Sequence, residues 1–453
     1  MAKGVLIIGL GKSGLSAALL AKRKGMDVYV TERARTAGNE ANFKMLDNHG
    51  IAYEVENTDT FFPHCDTAVI SPGIDPRSPY IRKVAEHMTI ISELEFAWMH
   101  MNSSQKIIGI TGTNGKSTTT TLVYEIFRAQ GLKSALTGNI GFPLCDYVDK
   151  EYDYFICEIS SYQLEAIKTF RCEAALITNI TPDHLNRYDN GFAGYTAAKQ
   201  RIYETQGPDD LLVLNAENDP AKECADHAPG KVYMFHKSQP VAQGAYVMGD
   251  LIVMRDASKL NDIIRVHELR LPGAHNVENV LAAIALSWRY ITDMEALRSV
   301  LKTFKGIEHR LEYVAEIDGV EFVNDSKGTN VDSTEKALIS YPHTKIVAIL
   351  GGDAAKKSDF SPLVPLIRTY CRMVIIIGET TSEMRSLFTR EDVDFSEAIS
   401  LHDAVRSAFS YAHKGDVVLL SPACASFDMF DNFEHRGKVF KNEVIQLKEE
   451  HGG

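Results

Sequence analysis

The run Lys106-Ile-Ile-Gly-Ile-Thr-Gly-Thr-Asn-Gly-Lys-Ser-Thr118 constrains this chain more than any other stretch. Its apolar start, Lys106 to Ile110, reads as a buried strand, and Lys116 to Ala129 reads as a helix. A glycine loop between a strand and a helix N-terminus belongs in a parallel α/β sheet, where each strand hands the chain to a crossover helix. It is also an anion site, because backbone N–H groups and the helix dipole converge there. Gly112, Thr113, Asn114, Gly115, Lys116, Ser117 and Thr118 are therefore predicted to hold ATP, with Lys116 reaching the terminal phosphates and Ser117 able to ligate Mg²⁺. A strict GxxxxGKS pattern needs glycine where the chain has Ile110, so the loop is a shortened variant. A plain glycine turn before a helix is the alternative, and it gives no reason for Lys-Ser directly after it.

At 453 residues the chain is long for one hydrophobic core, and three domains are expected, 1–93, 94–306 and 307–453. The first alternates strands (Val5 to Gly9, Val28 to Val30, Thr67 to Ile70) with helical patterns such as Ser13 to Lys24, which predicts a Rossmann-like unit. The second is predicted to be a P-loop ATPase-like domain, with strands Tyr154 to Ile159 and Ala174 to Ile177. Between about 207 and 272 it shifts to short stretches such as Leu211 to Leu214 and Leu251 to Met254, read as a small antiparallel excursion before a helix at Asn276 to Arg289. The third, with strands Glu321 to Asn324, Ile346 to Leu350, Val374 to Ile377 and Val417 to Leu420, is predicted to be a doubly wound α/β domain.

A net charge of −12 argues against nucleic acid or anionic membrane as the main partner, since both need a basic footprint. It leaves anionic small molecules open. Seven scattered cysteines show no CxxC or Cys/His zinc spacing and read as reduced thiols. Val5 to Leu10 is too short for a signal core, and no apolar run has the length of a membrane span. The expectation is a cytoplasmic protein, taken to be monomeric.

From the phosphate loop onward the chain resembles the Mur ligases of peptidoglycan synthesis, whose loop reads TGTNGK followed by Ser or Thr. The resemblance extends through Glu158-Ile-Ser-Ser-Tyr-Gln163, Asn179-Ile-Thr-Pro-Asp-His184, Ala197-Ala-Lys199, Gly273-Ala-His-Asn276, His309-Arg310 and Asn324-Asp-Ser-Lys-Gly-Thr-Asn330. It implies an ATP-dependent amide ligase. Some roles follow from the residues as well. Glu158 ends an apolar strand, where a carboxylate beside a phosphate loop can ligate Mg²⁺ or else cap the next segment, with Ser160 and Ser161 also cap-like. His184 follows another strand end, and a lone histidine there is by default structural; the resemblance implies a second metal ligand near the substrate. Lys199 would by default be a solvated helix charge. The resemblance implies a carbamylated lysine that helps hold the second of two Mg²⁺ ions. Asn276 and Asn279 share a helix face, with an N-cap as the rival reading of Asn276. The resemblance assigns both to the adenine, and Arg310 and Asp325 to the phosphates and ribose.

Gly9-Leu-Gly11-Lys-Ser-Gly14 sits between a strand and a helix, a form that binds a dinucleotide or a nucleotide diphosphate. Taken alone it supports a nicotinamide-dependent oxidoreductase. A second phosphate loop downstream makes a UDP-sugar pocket more economical, for which the resemblance implies Lys12, Ser13, Glu32, Arg33, Ser71, Asn139, Gln163 and His184. In the third domain, Asp325 to Asn330 and Ser421 to Asp428 resemble the D-glutamate-adding branch of the family, which implies UDP-N-acetylmuramoyl-L-alanine as the other substrate. An acidic amino acid needs two anion sites, and Lys327, Thr329, Ser426, a second lysine and N–H groups near Phe433 are the expected donors. Lys356 is favoured over Lys357 as that second lysine, and Ser426 has an alternative as the N-cap of the C-terminal helix. The rivals are another amino-acid ligase, such as a folylpolyglutamate synthetase, and a P-loop switch without ligation.

Overall fold

Three sheets carry the chain, and each opens at the C-terminal ends of its strands into the loops singled out above. The structure is a computed structural model that describes residues 4–36, 38–140, 142–271, 273–341, 344–355 and 358–452. It divides into two compact units, Met1–Arg270 with Asn276–Thr303 and Leu271–His275 with Phe304–Gly453.

In the first unit, β1 (Gly4–Ile8), β2 (Val28–Glu32), β3 (Ala52–Val55), β4 (Cys65–Ile70) and β5 (Thr89–Ser92) form an all-parallel sheet in the order β3-β2-β1-β4-β5. The order reverses at β1 and β4, so a crevice opens beyond their carboxyl ends, where ligands of open α/β sheets bind.

The second sheet contains β6 (Lys106–Thr111), β7 (Ser134–Gly138), β8 (Tyr154–Glu158), β9 (Ala174–Ile177), β10 (Leu211–Asn215), β11 (Lys231–His236), β12 (Gly244–Met248), β13 (Leu251–Asp256) and β14 (Lys259–Arg265), in the order β14-β13-β12-β11-β10-β9-β6-β8-β7. Here the expected antiparallel excursion is smaller than its predicted bounds. Leu211 to Asn215 pairs in parallel with both β9 and β11, β11 pairs in parallel with β12, and among the described residues of this sheet antiparallel strand pairing is confined to β12–β13 and β13–β14. The reason is burial: every residue of β10 is buried, as a strand covered on both faces requires.

The first two sheets are locked together by the short helix Glu93–Met99. Ser92 caps it by accepting from the Glu95 N–H, and Ser92 N donates to the Ala166 carbonyl. Glu93 Oε1 accepts from Cys145 N at 2.8 Å, and Glu95 accepts from the backbone of Lys168, Thr169 and Phe170 at 2.7 to 2.8 Å. On the other side Ser16 Oγ donates to Asp146 at 2.6 Å, and Arg23 pairs with Asp149 at 3.0 Å. One hydrophobic cluster runs through both sheets, from Val5 and Ile7 to Phe155 and Leu212.

The second unit is a six-stranded sheet of β15 (Glu312–Ile317), β16 (Val320–Asn324), β17 (Ile346–Leu350), β18 (Cys371–Ile376), β19 (Phe395–Glu397) and β20 (Val417–Leu420), in the order β15-β16-β20-β17-β18-β19. All pairs are parallel except the β15–β16 hairpin. Separate apolar clusters cover its two faces, as the doubly wound reading requires.

Candidate active site

The helix Lys116–Ala129 starts where the glycines permit it. Gly112 has φ +146°, and a Cβ there would fall 1.9 Å from Thr178 Oγ1; Gly115 has φ +81°, and its Cβ would fall 2.3 Å from Asn279 Oδ1. The loop is held open from the neighbouring strand end. Asn114 N donates to Asn179 Oδ1 at 2.9 Å, Thr178 Oγ1 donates to the Asn114 carbonyl at 2.6 Å, and Thr113 Oγ1 accepts from Thr181 N at 3.0 Å. No acidic residue lies in the helix's first turn, so its dipole is left for an anion.

Two lysines converge on one carbonyl of this loop. Lys116 Nζ donates to the Gly112 and Thr113 carbonyls at 2.9 Å, and Lys199 Nζ donates to Gly112 O at 2.7 Å. Lys199 is only 1% exposed, not a solvated helix charge, and its ammonium lies 4.7 Å from the Tyr195 ring centroid. Burial, then the nearby Lys116 cation, hold its pKa well below the usual lysine value.

Glu158 ends β8 opposite Ile110 of β6 and Gly138 of β7. Its Oε1 accepts from Asn139 Nδ2 at 2.8 Å, whereas Oε2 is buried without a hydrogen-bond partner, as is Thr111 Oγ1 at the end of β6. Unpaired buried oxygens are costly, and two at one sheet edge imply a polar occupant. The capping alternative for Glu158 fails: Ser160 caps the helix Ser161–Leu164, with Gln163 completing a capping box. Mg²⁺ usually takes one or two carboxylates plus substrate phosphates, which suits Glu158 and Ser117. Among the described residues no cluster of three His, Cys, Asp or Glu side chains forms a closed metal cage.

His184 follows β9 in the left-handed region, φ 52°, with its ring 5.2 Å from Tyr162 and 6.4 Å from Tyr195. Tyr195 Oη in turn meets Thr113 Oγ1 at 3.1 Å, so His184 and Lys199 belong to the same edge as the phosphate loop. Asn276 is not an N-cap, since its helix begins at Ala274. Asn279 Nδ2 donates to Asn276 Oδ1 at 2.9 Å, and Asn279 Oδ1 accepts from Thr119 Oγ1 at 3.2 Å, which places the pair beside the phosphate helix.

At the first sheet, Gly9 (φ +89°) and Gly14 let the loop pass closely, since a Cβ on Gly14 would fall 1.9 Å from Gly9 O. Lys12 is exposed and Ser13 half-buried at the N-terminus of the helix Lys12–Arg23, which has no side-chain cap. Ser71 Oγ donates to Gly9 O at 3.1 Å. Both oxygens of Glu32 are engaged within the loop, by Leu10 N at 2.6 Å and Arg33 N at 2.7 Å.

In the second unit Lys327 is exposed and Thr329 half-buried, in a turn where Gly328 is required because a Cβ would fall 2.6 Å from Asp325 Oδ2. Asp325 accepts from Leu311 N at 3.2 Å and Ser421 Oγ at 2.7 Å, next to the exposed Arg310, and burial pushes its carboxyl up to about 6. Ser426 is buried but is not the N-cap of the C-terminal helix Phe433–Glu450, which Asn432 caps by accepting from His435 N. The Phe433 carbonyl accepts from Ser326 Oγ at 2.8 Å. Lys356, like Lys357, lies outside the described residues.

Residues 3–92 match the MurD-like N-terminal domain of Mur ligases, 110–287 the Mur ligase middle domain, and 309–424 the Mur ligase glutamate ligase domain. The UDP-N-acetylmuramoylalanine–D-glutamate ligase of Caldicellulosiruptor bescii is 38% identical over 98% of this chain and 98% of its own. This chain is a Mur ligase. The enzyme of the same name from Acidobacterium capsulatum is 41% identical over 98% of this chain and 96% of its own. Among solved structures, the UDP-N-acetylmuramate–alanine ligase of Thermotoga maritima shares the fold, with TM-score 0.59 and 19% identity over 98% of this chain and 100% of that one.

Two residues of this Mur ligase escaped the sequence reading. Tyr195 links Thr113 to Lys199, but an aromatic in a helix reads as core. Arg436, only 3% exposed, donates to Ser326 Oγ at 2.9 Å and to the carbonyls of Ser326, Cys424 and Ala425 at 2.9 to 3.2 Å. It thereby joins the Lys327 turn to the Ser426 segment and the C-terminal helix. An arginine in a long polar helix carries no sequence signal of such burial.

Proposed function

We propose that this Mur ligase joins D-glutamate to UDP-N-acetylmuramoyl-L-alanine at the expense of ATP. Ligation chemistry rests on the paired lysines at Gly112 O beside the unpartnered oxygen of Glu158; the acceptor rests on the full-length relatives named above.

A carboxylate oxygen of the alanine attacks the ATP γ-phosphorus, the bond to the β–γ bridging oxygen breaks, and ADP leaves with an acyl phosphate remaining. Two anions must approach each other in that step, and Lys116 with the loop N–H groups lowers the repulsion. The D-glutamate amine then attacks the acyl carbon; phosphate leaves with the bridging oxygen, and the amine proton passes to water. Two Mg²⁺ ions, when bound, supply charge neutralisation for phosphoryl transfer, one held by Ser117 and Glu158, the other by His184 and Lys199. An ammonium is a donor, so Lys199 can serve only after its lone pair adds to CO₂ and releases a proton, which leaves a carbamate. Its lowered pKa favours the neutral amine that this needs. His184 can equally orient the substrate.

In this reading residues 1–93 hold the UDP moiety through Lys12, Ser13, Glu32, Arg33 and Ser71, and 94–306 supply Asn139, Gln163 and the ATP site with Asn276 and Asn279 at the adenine. Arg310 and Asp325 are assigned to the nucleotide, and Lys327, Thr329, Lys356, Ser426 and Phe433 to D-glutamate. The enzyme works as a cytoplasmic monomer. Phosphate release with UDP-N-acetylmuramoyl-L-alanine and a panel of D- and L-amino acids tests the assignment. Release is expected with D-glutamate; none with it, alongside release with another amino acid, would keep the ligase and remove the acceptor.

A further inference from the structure

Arg187 sits where three segments of the first unit meet. It lies in the turn after β9, three residues beyond His184, and its side chain is 11% exposed. Its guanidinium grips Glu165 with two bonds, Nε to Oε1 at 3.1 Å and Nη2 to Oε2 at 2.8 Å. The same Nη2 donates to the Ile74 carbonyl at 2.9 Å and the Pro72 carbonyl at 3.5 Å. Its carbon lies 4.4 Å from the centroid of the Tyr162 ring, whose other neighbour is His184. One flat group therefore touches the Ser71–Ile74 turn at the end of β4, the helix that follows Glu158, and the turn that carries His184. Arg77 adds a second tie, donating to Asp189 Oδ1 and to the Asn186 carbonyl at 3.1 Å each.

Net stability is a poor explanation for this arrangement. Desolvating a carboxylate and a guanidinium offsets much of their attraction, and apolar residues of similar volume hold two domains together as well. A planar fork, by contrast, fixes the angles of its partners, which neither an apolar contact nor a lysine does. The neighbouring His184 also occupies left-handed backbone, a conformation that persists only when its surroundings enforce it.

We propose that Arg187 is a positioning residue: it fixes the Ser71–Ile74 turn against His184, so that a UDP-linked substrate gripped by the first sheet presents its carboxylate to the phosphate loop. The proposal rests on the reading above, in which Ser71 and His184 both meet that substrate.

Steady-state kinetics on the full chain, with each substrate varied in turn, test it in wild type, Arg187→Ala, Arg187→Lys and Glu165→Gln. In Arg187→Ala the KM for UDP-N-acetylmuramoyl-L-alanine is expected to rise by about 10- to 100-fold, with the KM values for ATP and D-glutamate changed by less than about twofold. Arg187→Lys keeps the charge but loses the fork, and is expected to stay close to the alanine variant. Thermal shifts give a second readout: the stabilisation by UDP-N-acetylmuramoyl-L-alanine alone should be lost in Arg187→Ala, and that by ADP retained. Unchanged KM values overturn the proposal. So does a parallel rise of all three with a lowered melting temperature, the mark of a structural ion pair. Absence of turnover in the wild type would instead sink the functional reading, and this proposal with it.

Discussion

Lys199→Ala is expected to lower the rate of phosphate release by about 1000-fold or more at saturating substrates, with added acetate or formate restoring part of the loss. Lys199 is 1% exposed, and its ammonium shares the Gly112 carbonyl with Lys116. Two cations on one carbonyl repel each other, and burial deprives one of them of water. A carbamate reverses both problems: the second charge becomes negative, Lys116 becomes its partner, and the new oxygens gain the metal-binding capacity that a lysine lacks. Alanine removes those oxygens and leaves a space beside Tyr195 that a short carboxylate can fill. Lys199→Arg, which cannot form the carbamate, is expected to be as inactive and to show no rescue. Activity within about twofold of wild type in Lys199→Ala would remove the residue from the mechanism.

Raising the pH from about 5 to about 8 is expected to cost the protein on the order of 3 kcal/mol of folding stability through Glu93 alone. Glu93 is 1% exposed at the junction of the first two sheets, with Oε1 on Cys145 N and Oε2 unpaired. Burial, with Asp146 nearby, pushes its carboxyl up from 4.5 to about 7. Between those values the folded state keeps a proton that the unfolded chain has lost. The contribution is therefore complete below about 4.5 and disappears as the pH rises through about 7. Asp325, raised to about 6, acts in the same direction in the second unit. Urea midpoints of wild type and Glu93→Gln across this range isolate the Glu93 share: the wild type should lose stability relative to the variant as the pH rises. A constant difference between them would contradict the assignment.

Both effects depend on contacts that local sequence does not announce. Ser92 caps the helix Glu93–Met99 by accepting from Glu95 N. That its two carboxylates are buried depends on partners 52 and 73 residues away. Lys199 is similar: its helix was expected, but the docking of that helix under Gly112 is a tertiary event 87 residues removed. The phosphate loop was legible for the opposite reason. Its glycines, lysine and helix start are adjacent in the chain, and the predicted helix Lys116 to Ala129 matches the observed bounds. An uninterrupted apolar run such as Leu211 to Leu214 does not reveal its neighbours; parallel pairing to β9 and β11 decides its place in the sheet. The edge strand β15, Glu312-Tyr-Val-Ala-Glu-Ile317, escaped because its mixed polarity suits a half-exposed strand and a loop equally well. In the acceptor region the turn Asp325 to Asn330 was visible as a motif, whereas the buried Arg436 that braces it was not.

In the proposed reaction the carboxylate is activated as an acyl phosphate at the edge carrying Lys116, Glu158 and Lys199. Following an oxygen atom tests it most directly. UDP-N-acetylmuramoyl-L-alanine with ¹⁸O in its alanine carboxylate, turned over with ATP and D-glutamate, should transfer one labelled oxygen to each phosphate released, since the attacking oxygen leaves with the phosphorus. Phosphate without label, formed alongside the amide product, would contradict the mechanism.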